Sequence, residues 1–200
     1  MPHWRKNLLQ ACDSFFRPKA LFAELAASRD LGPGWAALGV TSVLFAIIAV
    51  TAHVRQVPML EKPLWPLPHY RLWLAILLPA IWFLGCWLSA GVAWSLGRLL
   101  GLRRDMKTLL AAGMPALLTP LWPMQWPTEL AVSLGLLNVN LPGFPGFWTR
   151  ELMPASSFIY MLCLLWLSWG EVFNLDWKGA FALAVISLVP TLGFWALILR

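Results

Sequence analysis

The sequence is poor in the residues from which catalytic and metal sites are made. Its 200 residues include three cysteines, three histidines and two tyrosines, and only 12% of the chain is charged. Cys12, Cys86 and Cys163 stand far apart, so neither a disulfide framework nor a zinc knuckle is indicated. His3, His53 and His69 show no ligand spacing, and no histidine pair at helical separation suits a metal or a haem. No glycine-rich phosphate loop follows a strand, and no serine, histidine and acid set forms a recognisable motif. We therefore expect no cofactor, no metal and no enzymatic activity. No secretory leader is expected either: Arg5, Lys6, Asp13, Arg17, Lys19, Glu24, Arg29 and Asp30 interrupt every apolar run before Trp35. The expectation is an unprocessed chain whose first span serves as its targeting signal.

What is abundant is apolar surface. Hydrophobic residues make up 60% of the chain, more than a soluble domain of this size carries, and the mean hydropathy is strongly positive. A span needs about 20 mostly apolar residues. Four runs qualify, at 35–54, 72–97, 153–170 and 179–199, and a shorter fifth lies at 108–124. The fold class expected is all-α: a polytopic membrane bundle of about five helices over 35–200, preceded by a cytoplasmic amphipathic segment over 1–34.

Charge orients it. With five spans, one side holds Arg5, Lys6, Arg17, Lys19, Arg29, Arg98, Arg103, Arg104, Lys107 and Lys178; the other holds Arg55, Lys62, Arg71, Arg150 and Arg200. Basic residues favour the cytoplasmic side, so the amino terminus is expected inside and the carboxyl terminus outside. Arg98, Arg103, Arg104 and Lys107 form the tightest cluster and are candidate contacts for anionic lipid. The net charge of +6 is explained by this asymmetry, and nucleic acid is not expected as a partner. Fourteen tryptophans support the same topology, because indole collects at the headgroup zone. Trp35, Trp94, Trp169 and Trp177 would mark the inner boundary, and Trp65, Trp73, Trp122, Trp126, Trp148 and Trp195 the outer one. Trp82 and Trp87 fall mid-span, where packing is the simplest role.

Ahead of the first span, "NLLQACDSFFRPKALFAELAAS" carries two apolar stripes at helical spacing, with Pro18 suited to the first turn of the second. Two short amphipathic helices in the inner headgroups account for both, with Phe15 and Phe16 as candidate partner contacts. In the second span Gly85, Ser89 and Ala93 recur every four residues, a face of small side chains that admits another helix, from this chain or a second copy.

Prolines 115, 120, 123 and 127 crowd the third span. Proline ends a helix and tryptophan anchors its depth, so Trp122 and Trp126 among these prolines predict a kinked helix terminating at the outer interface. The other reading makes Pro115 and Pro120 a hinge or a path lining. Residues 128–141 follow as an interfacial or re-entrant piece, too short to cross. Glu171 stands at the inner end of the fourth span, where pairing with Arg98 or Arg103 is expected and proton coupling is the alternative.

"FFRPKALFAEL" before the first span, the basic second loop and "LLAAGMPALLTPL" in the third resemble the Ypt-interacting-protein (Yip) domain family, over most of the chain. The resemblance implies an all-helical bundle and, from eukaryotic relatives, small-GTPase binding in vesicle traffic; bacterial relatives lack an agreed activity. A short cytoplasmic segment and the lack of a "DLYGP"-like motif depart from the eukaryotic pattern, so GTPase binding is in doubt and no functional residue carries over. The expected role is a non-catalytic scaffold or adaptor in a membrane, on composition a bacterial inner membrane. Its partners would be the lipid bilayer and other membrane proteins or itself. The alternative is a small transporter or channel component with the third span lining a path.

Overall fold

The structure is a computed structural model and describes residues 3–57, 69–136 and 152–198. Among these residues every regular element is a helix: α1 (His3–Phe16), α2 (Pro18–Ser28), α3 (Gly32–Val54), α4 (Tyr70–Leu99), α5 (Met106–Leu118), α6 (Leu121–Met124), α7 (Trp126–Ser133), α8 (Met153–Phe173) and α9 (Trp177–Ile198). The chain is thus an all-α polytopic bundle. Helices α3, α4, α8 and α9 are long and apolar enough to cross a membrane. They are apolar all round, and Val43, Ile47, Ile76, Leu84, Ile159, Ile186 and Val189 stay exposed on their outer faces. Such helices sit in lipid, because water would leave those faces unburied.

The expected third span is corrected here: no single helix covers 108–124. Helix α5 has 13 residues, about 20 Å of rise, which is short of the hydrocarbon core. After Leu118 the chain turns through Thr119 and Pro120, restarts as α6, and restarts again at Trp126 with Pro127 in the first turn. Three contacts steer the broken run along α3 to its carboxyl end. Thr41 Oγ1 donates to the Leu118 carbonyl at 3.4 Å, Trp126 Nε1 donates to the Leu44 carbonyl at 2.9 Å, and an Arg55 guanidinium N–H donates to the Leu134 carbonyl. The piece expected at the surface, as far as Leu134, therefore continues alongside a membrane-length helix; residues 137–141 lie outside the described residues.

Helix α5 is the axis of the bundle. Thr108, Leu109 and every residue from Ala111 to Leu118 are buried. It packs against α3, α4 and α8, and α9 closes the outside by packing against α4 and α8. The remaining gap is filled by α1 and α2, which lie against α3 and α8 respectively and touch each other and α5. The sequence reading gave the apolar stripes of α1 and α2 to headgroups. The structure instead gives Leu21, Phe22 and Leu25 of α2 to the protein core, while Leu9 and Phe16 of α1 stay exposed. Pro18 does take the first position of α2, with Arg17 breaking the helix before it.

Candidate functional site

The small-residue face of α4 faces inward within this chain. Gly85, Ser89 and Ala93 are all buried. A Cβ on Gly85 would lie 2.0 Å from Trp195 Nε1, and Thr191 Oγ1 donates to the Gly85 carbonyl at 3.2 Å, so the helix admitted there is α9. Trp195 donates to the Ile81 carbonyl and packs edge-on against Trp82. Trp195 and Trp169 are therefore core residues, which corrects their placement in interfacial belts: Trp169 is fully buried and donates to Ser187 Oγ at 3.0 Å. Trp122, read as an outer-interface anchor, donates to Thr41 Oγ1 at 2.8 Å. Trp35, Trp73 and Trp177 do stay half-exposed or more.

Phe15 and Phe16 part company. Phe15 packs on Trp122 and Tyr160, with ring centroids 6.1 Å away in each case, whereas Phe16 is 81% exposed at the joint between α1 and α2. Pro115 and Pro120 are both buried. The Pro115 carbonyl accepts from the Thr119 amide and hydroxyl, and that hydroxyl meets Ser14 Oγ at 2.7 Å, so α1 is pinned at the break. Glu171 pairs with Lys19 of α2 at 3.9 Å, and the expected partner Arg98 is turned elsewhere: its guanidinium lies 4.1 Å from the centre of the Trp94 ring. The expected pairing of Glu171 with Arg98 or Arg103 is corrected accordingly.

Chemistry-bearing groups gather where α4 ends and α5 begins. Leu100 caps α4, and Gly101 follows at φ 76°, a left-handed conformation that glycine enters without a Cβ clash. The Leu102 amide donates back to the Gly97 carbonyl at 2.7 Å, a reversal that closes the helix end. The return carries Arg103 and Arg104 to the same opening as Arg98. Asp105 then caps α5, accepting from the Thr108 amide at 3.0 Å and from the Thr108 hydroxyl. Its second oxygen accepts from Arg29, at the end of α2, at 3.0 Å. The Thr108 hydroxyl, its amide and the Arg29 charge together hold the Asp105 carboxyl below its usual range.

The result is an open groove of about 730 Å³ lined by Trp94, Arg98, Arg103, Arg104, Asp105 and Met106. Three of the four expected anionic-lipid contacts are brought together, while Lys107 is exposed and is not among the lining residues. Sequence reasoning missed Asp105 and Arg29. The cap was legible as Asp105 three residues before Thr108; the Arg29 contact spans 76 positions and leaves no local signal.

At the opposite ends of α3 and α4, His53 and His69 meet with ring centres 5.5 Å apart, a contact that their spacing did not announce. Two imidazoles fall short of a structural metal set, and no group of three or more potential ligands forms among the described residues. No protein-family model, no curated protein and no solved structure matches the chain. The Yip likeness therefore rests on the sequence motifs alone.

Proposed function

We propose that this protein is a non-catalytic scaffold or adaptor of a bacterial inner membrane, Yip-like in plan, with its amino terminus on the cytoplasmic side. The observation that carries this reading is the filled axis. Helix α5, the expected lining of a transport path, is buried at every residue from Ala111 to Leu118 among this chain's own side chains. Pro115 and Pro120 are packed within that core. A hydrophilic path needs polar lining groups, and the buried polar side chains around α5 are serines and threonines, of which Ser14 is engaged with Thr119 and Thr41 with the Leu118 carbonyl. Surfaces for partners lie outside the core instead: Trp4, Leu9 and Phe16 are exposed on α1. Those side chains suit a hydrophobic contact with another membrane protein or a second copy, at the end of the chain that charge places in the cytoplasm. Small-GTPase binding forms no part of the proposal.

The test is purification of the tagged full chain in native nanodiscs, followed by mass spectrometry of what accompanies it. A stoichiometric membrane partner, or a defined homo-oligomer, that is lost on Phe16→Ser while the melting temperature is kept supports the reading. Substrate flux through liposomes containing the protein alone, abolished by Glu171→Gln or Pro115→Ala, would replace it with the transporter reading.

A further inference from the structure

We infer that the groove between α4 and α5 is a binding site for the phosphate headgroup of an anionic phospholipid. Three guanidinium groups, those of Arg98, Arg103 and Arg104, line one opening of about 730 Å³. A phosphodiester oxygen pair is the planar acceptor that guanidinium forks match, and the volume lies in the range of small-molecule sites.

Two features keep the three charges available. The only carboxylate lining the groove, Asp105, already accepts from Thr108 and from Arg29, which lies outside the lining. Arg98 is held over the Trp94 ring at 4.1 Å, which limits its rotamers while leaving its N–H edges free. The start of α5 at Met106, with amide N–H groups directed out of the helix end, adds a partial positive charge on the same side.

The neighbours select a lipid over a soluble phosphate. Leu99 and Leu100, between Arg98 and Arg103 in the chain, are 83% and 69% exposed, and Trp94 and Met106 form the apolar part of the lining. An acyl chain or glycerol backbone covers such side chains; inorganic phosphate leaves them bare. The groove also sits at the end of α4, a helix of membrane-spanning length, where headgroups would meet it. The inference holds under either a scaffold or a transporter reading of the whole protein.

The test uses the full chain in detergent, titrated with phosphatidylglycerol or phosphatidylcholine and read by native mass spectrometry. The expected result is preferential retention of phosphatidylglycerol, weakened about twenty-five-fold in R103Q/R104Q, a factor of about five for each arginine. R103K/R104K is expected to recover only part of the affinity, because lysine offers a point charge without the fork. K178Q, a basic residue outside the groove, should bind as the unsubstituted chain does. Each variant is first checked for an unchanged melting temperature, and if R103Q/R104Q fails that check, R98Q and the lysine pair carry the test. Equal retention of the two lipids, or full affinity in the glutamine variants, overturns the site. Full affinity in the lysine pair with loss in the glutamine pair reduces the effect to diffuse surface charge and also overturns it. Displacement of the lipid by excess inorganic phosphate assigns the groove to a soluble anion and overturns the lipid source.

Discussion

Gly85 shows how much a single residue decides. It lets the Trp195 indole reach the backbone of α4, where a methyl group would stand 2.0 Å from the ring nitrogen. Gly85→Ala should therefore lower stability by about 1–3 kcal/mol, the usual range for overpacking a tight core. Gly91 on the same helix has nothing within 4 Å of an added Cβ, so Gly91→Ala should leave stability unchanged or slightly raise it. Parallel melting curves in one detergent check the pair, and equal shifts would remove the close approach as the reason for the glycine. Asp105 is the second such residue. Asp105→Ala should cost about 1 kcal/mol, as loss of a helix cap does, with little more from the exposed pair with Arg29. The sign with pH follows from the lowered carboxyl. Folding favours the ionised form, so the cap's contribution is complete above the ordinary carboxylate value of 3.8 and fades as pH falls through the lowered one. Unfolding of the parent and of Asp105→Ala should accordingly differ at neutral pH and converge in acid.

At the scale of elements, α2 is the part whose role changed most between pattern and packing. Its apolar residues repeat at helical spacing whether they face lipid or protein, so the sequence admits both. Only the gap around α5 directs Phe22 and Leu25 inward. Phe22→Ala should cost about 3 kcal/mol and loosen α2 from the bundle. Faster trypsin cleavage at Lys19 would register that release; unchanged cleavage with unchanged melting would return α2 to the headgroups. The broken third segment has a similar lesson. Four prolines announced an interrupted helix, and their positions do mark the restarts at Leu121 and Trp126. What the prolines could not indicate is the direction of the chain after each restart. Hydrogen bonds from Thr41, Trp126 and Arg55 supply that direction, and each links residues more than 75 positions apart.

For the molecule as a whole, the unequal distribution of arginine and lysine makes the strongest statement. If the broken α5–α7 run completes a third passage between α4 and α8, five passages put the two termini on opposite sides. In a bacterial host, a fluorescent protein fused before residue 3 should fluoresce in the cytoplasm, and alkaline phosphatase fused after residue 198 should be active outside. Phosphatase activity at neither terminus would mean an even number of passages, with the α5–α7 run returning to the side on which it began. The basic groove lies where α4 meets α5, and the His53–His69 contact lies at the other ends of α3 and α4.

The sequence by itself determined the membrane environment, the all-helical class and four of the long helices, because hydropathy and helical length are local sums that no packing can reverse. It also determined which residues could gather anions, since Arg98, Arg103 and Arg104 lie within one short reversal of the chain. Tertiary structure alone decided the partners. It gave the small face of α4 to α9 and Glu171 to Lys19, and it took Trp169 and Trp195 from the interface into the core. The physical reason is that an apolar or small side chain satisfies lipid and protein almost equally well. Which of the two it meets is set by the space left among the other helices, and that space exists only once the bundle has closed around α5.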